Sequence, residues 1–232
     1  QAHGASAAYT SVDDLLLDSR VDAVFIASPN SLHAPQTIQA ANAGKHVLSE
    51  KPMATTVDDA VAMVRACRSN GVKLGIGFEL RFHPAHLLAR ELVERGAIGR
   101  IRLAHGQWAR GDRGQREHTP RTGLREWWER PELIGDASVM MGMGVHVFDL
   151  MRFVLAEDTV EVVAMTDGQT EQQPLEHIAS ISLRLRGGTI ATVMCGRMLP
   201  DTQNDFAIYG SDGRIAGKET IWEGRLGQAE VV

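Results

Sequence analysis

Apolar positions in the first eighty residues fall in short unbroken runs, separated by stretches whose apolar residues recur at helical spacing. The run from Val21 to Ser28, centred on Val24, Phe25, Ile26 and Ala27 and bounded by turn residues, predicts a strand buried on both faces. His46 to Ser49 and Lys73 to Gly77 predict two more. Between them the spacing predicts a helix from Val12 to Asp18 capped by Ser11, a second from about His33 to Ala43 ended by Gly44, and a third from about Thr56 to Ser69 with Asp58 and Asp59 in its first turn. Strands and helices that alternate with short connections predict a doubly wound parallel sheet or part of one.

Beyond Gly77 the pattern changes. Pro84 to Glu94 carries Leu87, Leu88, Leu92 and Val93 at helical spacing and closes at Gly96. Ile101 to Ala109 predicts a strand, and Gly144 to Leu155 a helix. From Val160 onward period-two alternation takes over. In Ile178 to Arg186, Ile181, Leu183 and Leu185 alternate with Ser180, Ser182 and Arg184, and Gly187-Gly188 turns the chain into a strand from Thr189 to Gly196. Asp205 to Tyr209 predicts a further strand, ahead of a turn at Ser211 to Gly213. The expected fold class is therefore α/β: part of a Rossmann-like parallel sheet over residues 1–78, then, over 79–232, an α/β domain with a large, mainly antiparallel open sheet.

The chain of 232 residues corresponds to about one and a half domains of ordinary size. A net charge of −5 gives no global positive field to attract nucleic acid or an anionic bilayer, and no apolar run approaches the roughly 20 residues of a spanning helix. Small-molecule chemistry is the favoured class, with neither nucleic acid nor membrane as partner. Cys67 and Cys195 lie far apart in periodic apolar segments, the pattern of reduced core thiols in a cytoplasmic protein.

Three segments carry candidate chemistry. Ser28-Pro29-Asn30-Ser31-Leu32-His33 and Ser49-Glu50-Lys51-Pro52 put polar residues at the carboxyl ends of apolar parallel strands, where open α/β sheets bind ligands. A lysine there can exchange protons if its surroundings lower its pKa, although Glu50 and Lys51 also fit a surface pair in a turn. In Gly142-Met143-Gly144-Val145-His146-Val147-Phe148-Asp149, His146 and Asp149 share a helix face, so a carboxylate can orient the imidazole; a satisfied histidine at a domain interface fits equally. Residues 110–127 lack apolar periodicity but carry Arg110, Arg113, Arg116, Arg121 and Arg125, suited to a carboxylate or phosphate, or to a solvated loop balanced by Asp112, Glu117 and Glu126. Trp127 and Trp128 suit either a sugar face or core packing.

These motifs, with Arg81 and Pro84 after the third strand and Gly96-Ala97-Ile98-Gly99 ahead of a new one, occur in an order that resembles the Gfo/Idh/MocA family of nicotinamide-dependent oxidoreductases, from about Tyr9 to Ile215. The resemblance implies NAD or NADP as cofactor, with Ser28, Pro29, Asn30, His33, Glu50, Lys51 and Pro52 at the cofactor and Lys51–Pro52 in cis. It implies catalysis by Lys51 with His146 beside it, Arg81 and Asp149 facing substrate, and no metal. It further implies hydride transfer to or from a hydroxyl-bearing carbon of a sugar, cyclitol or related polyol, and a homodimer or homotetramer formed through the C-terminal sheet. The alternatives are a non-catalytic or regulatory NAD(P)-binding protein and a redox-assisted NAD-dependent glycosidase or lyase.

Two departures qualify the resemblance. Many family members carry Asp four residues before the histidine, where this chain has Gly142, so Lys51 and His146 either work without that carboxylate or are helped by Asp149 or Asp136. The chain also begins at Gln1 with no Gly-x-Gly-x-x-Gly turn, which leads to the expectation that the front of the Rossmann domain is missing, that its C-terminal strands stop short after Val232, and that the 232 residues alone bind dinucleotide weakly. The residue that would choose between NAD and NADP belongs to that front segment.

Overall fold

The computed structural model describes residues 4–114, 117–168, 170–221 and 227–232; Arg116, one of the loop arginines, lies outside them. The chain divides into two compact units, one of residues 1–77 and 132–135, the other of residues 78–131 and 136–232.

In the first unit, helix α1 (Val12–Leu17) starts at Ser11, whose side chain accepts from the Asp14 amide. Strand β1 (Ala23–Ile26), helix α2 (His33–Asn42), strand β2 (His46–Ser49), helix α3 (Val57–Ser69, capped by Thr56) and strand β3 (Leu74–Ile76) follow with short connections. The strands are parallel in the order β1-β2-β3, with Val24 opposite Val47 and Val47 opposite Leu74. Leu16, Ile26, Ala40 and Val47 form the core, α2 packs on β1 and β2, and α3 packs beside α2. Burial on both faces does not hold. Successive side chains of a strand point to opposite faces, and those of the face away from Val24, Val47 and Leu74 stay open: Phe25 is 59% exposed and Leu48 46%. Right-handed crossovers that advance in one direction across a sheet put both helices on the same side, which accounts for the difference.

The second unit opens with helix α4 (Pro84–Glu94), its proline in the first turn and His83 accepting from the Ala85 amide. Strand β4 (Ile101–Ala109), the short helix α5 (Pro131–Ile134), most of which belongs to the first unit, and helix α6 (Val145–Leu155) come next. Strands β5 (Thr159–Thr166), β6 (Ile178–Leu185), β7 (Ile190–Gly196), β8 (Phe206–Gly210), β9 (Arg214–Lys218) and β10 (Gln228–Val231) complete a seven-stranded sheet ordered β10-β9-β8-β4-β7-β6-β5. Every pairing is antiparallel except β4 with β7, which is parallel and was not expected.

The alternation read in β6 is realised: Ala179, Ile181, Leu183 and Leu185 are buried and Ser180, Ser182 and Arg184 exposed. The buried side chains meet Val147, Leu150 and Met151 of α6 in one core. Gly106 on β4 lets α6 come this close, because a Cβ there would lie 2.6 Å from Val147 Cγ1 and 2.9 Å from Met151 Cε. Among the described residues no helix is long and apolar enough to cross a membrane.

Candidate functional site

The carboxyl ends of β1 and β2 bring the two predicted loops of the first unit together. The Glu50 amide donates to the Ile26 carbonyl at 2.8 Å and the Gly77 amide to that of Ser49 at 2.8 Å, so the sheet ladder runs on into the Glu50-Lys51-Pro52 turn, where the Lys51–Pro52 bond is cis. His33 is fully buried behind this turn. Its Nδ1 lies 2.7 Å from the Pro52 carbonyl oxygen and its Nε2 3.0 Å from that of Ser28, so each ring nitrogen faces an acceptor of the protein itself. Asn30 is buried too, its Nδ2 donating to the Ile134 carbonyl at 3.1 Å, and the Ser28 hydroxyl donates to Gln36 Oε1 at 2.7 Å. Asn30 and His33, which the resemblance puts at the cofactor, help to fasten these loops, since backbone carbonyls left by the turns need donors. The half-buried residues at this edge are Ser28, Pro29, Glu50 and Lys51, with Glu50 Oε2 accepting from the Lys51 amide at 3.2 Å.

In the second unit, His146 sits in the first turn of α6, directly after a π-helical turn at Met140–Gly144, an irregularity common at functional sites. Glu176, wholly buried, anchors the start of that turn: its carboxylate accepts from the Ser138 amide at 2.7 Å and the Met140 amide at 2.9 Å. The His146 side chain is 2% exposed and lies against Trp108, ring centroids 4.6 Å apart, and edge-on to Phe78 at 6.3 Å. Glu79 Oε1 is 3.2 Å from Nδ1 but outside hydrogen-bonding geometry, and neither ring nitrogen has a hydrogen-bond partner. A buried imidazole whose ring nitrogens make no hydrogen bond, with a carboxylate oxygen near one of them, has the capacity to bond a further group.

Asp149 is not the carboxylate beside this ring. Arg81 takes both of its oxygens, Nε donating to Oδ2 at 2.7 Å and Nη2 to Oδ1, and the guanidinium rests against Phe78 and Phe153. Asp149 therefore satisfies a planar fork rather than orienting His146. The carboxylate that does approach, Glu79, went unread; it lies two residues before Arg81, and only the turn at Glu79–Phe82 brings it to the histidine.

The loop arginines divide. Arg113 pairs with Asp201 at 2.7 Å, and Arg125 is exposed. Arg110 and Arg121, with Arg197, line a cavity of about 330 Å³ shared with Asp112, His118 and Thr119. Arg110 and Arg197 stand at the ends of the parallel pair, where the Arg110 amide donates to the Gly196 carbonyl at 3.0 Å. Gly111 allows the crossing, since a Cβ there would lie 2.4 Å from Leu199 N. Arg121 lies over the Trp128 ring at 4.8 Å, and Trp127 and Trp128, both half-buried, stack on each other. Glu129 accepts from the Arg121 amide at 3.0 Å and contacts His118 Nε2 at 2.8 Å, but stays 3.8 Å from Arg121 Nη1. Burial, reinforced by Arg121 and Arg110, pushes Arg197 down to about 10. Burial and Arg110 likewise lower Arg121.

The remaining candidates are inert. Cys67 and Cys195 are free and buried, and burial pushes the Cys195 thiol up to about 12. No group of three or more His, Cys, Asp or Glu side chains is placed to hold a metal among the described residues.

Comparison with known proteins adds to this geometry. Residues 1–78 match a family model described as an oxidoreductase family with NAD-binding Rossmann fold, and residues 86–216 match the GFO/IDH/MocA C-terminal domain. The chain is 34% identical over 230 residues to a 1,5-anhydro-D-fructose reductase of Ensifer adhaerens, an alignment covering 97% of this chain and 65% of that protein. It superposes on an aldose-aldose oxidoreductase from Caulobacter crescentus, solved with glycerol, with a TM-score of 0.81 at 28% identity, covering 97% of this chain and 66% of that one. A levoglucosan dehydrogenase solved with NADH and L-sorbose gives 0.80 at 25% identity, covering 96% and 63%. The chain thus spans about two thirds of the length of these relatives.

Proposed function

We propose, for a chain that belongs to the GFO/IDH/MocA family of oxidoreductases, that the whole protein transfers a hydride between NAD or NADP and a hydroxyl-bearing carbon of a sugar, cyclitol or related polyol. The observation that carries this reading is His146, a buried imidazole with neither nitrogen hydrogen-bonded, on the helix where the family resemblance puts a proton-transfer histidine. The relatives point the same way, since a sugar reductase and sugar oxidoreductases are among them.

The bound nicotinamide supplies hydride acceptance or return at the substrate carbon. The strand ends of the first unit fit such a group: Ser28, Pro29, Glu50 and Lys51 form the half-buried edge, while Asn30, His33 and the Pro52 carbonyl hold that edge in shape. Lys51 takes the hydroxyl proton when the alcohol is oxidised and returns it on reduction, and His146 takes part in that transfer. Exposed Val160, Val162, Val163 and Met165 on the edge strand β5 support a homodimer or homotetramer built through the second sheet, two buried free thiols support a cytoplasmic protein, and a net charge of −5 favours a small molecule over nucleic acid or an anionic membrane as partner.

The test is turnover by the whole protein, followed by nicotinamide absorbance against a panel of sugars and cyclitols. Lys51→Ala and His146→Ala are each expected to lower kcat/KM by about 10²–10⁴-fold with the fold intact. Full activity in both variants would refute the assignment.

A further inference from the structure

The arginine cavity of the second unit has no part in the mechanism above. We infer that Arg110, Arg121 and Arg197 form a binding site for a carboxylate or phosphate group carried by the substrate, so that the substrate is an anionic sugar derivative rather than a neutral sugar. This rests on the dehydrogenase reading for the word substrate; the anion site itself does not.

Arg197 is 7% exposed, and its Nε is buried without a hydrogen-bond partner; so is Nη1 of Arg121. A buried, unpaired guanidinium N–H costs several times what an exposed one does, and proteins seldom leave one unless something else completes it. Like charges compound the cost. Arg110 and Arg197 stand one position beyond the registered pair Ala109–Gly196, side by side at the ends of adjacent parallel strands, where two cations repel. The carboxylates at hand are shared or engaged elsewhere. Glu129, 3.8 Å from Arg121 Nη1, is also held by His118 and the Arg121 amide, Glu176 by two backbone amides, and Asp112 on the cavity wall has an interaction of its own; burial first, and Arg121 and Arg110 after it, lower the affinity of Arg197 for its proton. A bound oxyanion removes all of these costs at once, with the forked guanidinium geometry that suits carboxylate and phosphate.

The position fits a substrate group. Arg110 follows by two positions Trp108, the residue that packs on His146, and Arg197 follows by two positions Cys195, which lies beside Gly144 of the π-helical turn, and both arginines line the cavity. Two residues of extended strand advance the chain by about 7 Å. That is roughly the length of a small sugar, so one molecule can offer a carbinol to His146 and an acid to the arginines.

The experiment is isothermal titration of the 232-residue chain with gluconate, glycerol phosphate and glucose, repeated with Arg197→Gln, Arg121→Gln and the control Arg184→Gln, an exposed arginine paired with Glu161 on the outer sheet face. Gluconate or glycerol phosphate is expected to bind at least about 10-fold more tightly than glucose, with that preference lost in the Arg197 and Arg121 variants and kept in Arg184→Gln. Which of the two anions binds identifies the carboxylate or the phosphate as the group recognised. Equal affinity for glucose and both anions, or an anion preference that survives in Arg197→Gln, overturns the inference. Because binding is read without turnover, an anion preference alongside fully active Lys51→Ala and His146→Ala variants would sink the dehydrogenase reading alone, whereas turnover of neutral sugars with no anion preference would sink this one alone.

Discussion

The loops after β1 and β2 in the first unit and the residues around His146 and Arg197 in the second treat buried polar groups in opposite ways. In the loops each buried candidate side chain has found a partner within the protein: His33 faces two carbonyls, and Asn30 donates to the Ile134 carbonyl. Around α6 and the ends of β4 and β7, by contrast, both nitrogens of His146, Nε of Arg197 and Nη1 of Arg121 are buried without hydrogen bonds. A satisfied buried group is scaffold, and its removal leaves its partners stranded. An unsatisfied one lowers stability in the free protein and is retained for something that binds.

The contrast is broken most directly by substitution at its two poles. His33→Leu removes the single N–H that a neutral imidazole offers to the Pro52 or Ser28 carbonyl and is expected to cost about 1–3 kcal/mol, read as faster hydrogen exchange at the amides of β1 and β2 and a lower urea midpoint. Arg197→Gln strands nothing and is expected to leave the same measurements unchanged or improved. Should the two variants destabilise equally, sorting buried polar groups by their partners would fail for this protein.

His86 is an intermediate case. Its Nδ1 donates to the Leu80 carbonyl at 2.8 Å, its Nε2 is buried without a partner, and His83 and Phe206 close over the ring. Burial pulls its pKa down to about 4, against the backbone bond that raises it. The unfolded chain, with an ordinary value near 6.5, therefore binds more protons than the folded one between those limits. The contribution of neutral His86 is complete above pH 6.5 and is lost as the pH falls toward 4, to the extent of roughly 3 kcal/mol. Urea unfolding at pH 7 and pH 4.5 should show the wild type losing about 2–3 kcal/mol more than His86→Gln, which keeps a donor for Leu80 but does not titrate. Parallel losses in the two proteins would place the acid sensitivity elsewhere.

What the sequence disclosed follows the range of the interactions. Helix α4 was legible to the residue because its signals are local: His83 caps it, Pro84 opens it and Gly96 stops it. The β6–β7 hairpin was legible because Gly187-Gly188 joins two alternating runs. Strands β9 and β10 escaped because Arg214–Lys218 and Gln228–Val231 are too short to show an apolar period, and gain their pairing only from an existing sheet edge. The parallel pairing of β4 with β7 joins positions 87 apart, as in the bond between His105 and Thr192, and no local pattern encodes it. The same holds for the site. Lys51, Glu50 and His146 stood out by motif, whereas Arg197, in the plain sequence Cys-Gly-Arg-Met, joined the loop arginines only through that long-range pair, and Glu79 reached His146 only through a turn.

Position 142 tests the smallest difference of the set. Glycine stands where the family resemblance implies aspartate before the histidine, and the place a side chain would take is bordered by Trp128, whose Cζ3 would lie 3.2 Å from an added Cβ. Such a contact is tight but not prohibitive, since a half-buried indole on a surface turn can give by a few tenths of an ångström. The backbone here is helical, and there alanine is favoured over glycine by about 1 kcal/mol, which offsets the crowding. Gly142→Ala should therefore shift the unfolding free energy by less than about 1 kcal/mol in either direction. A loss of several kcal/mol would show instead that Trp128 is rigidly held, and that the indole, by crowding a side chain at this position, is what keeps a carboxylate out of the His146 surroundings.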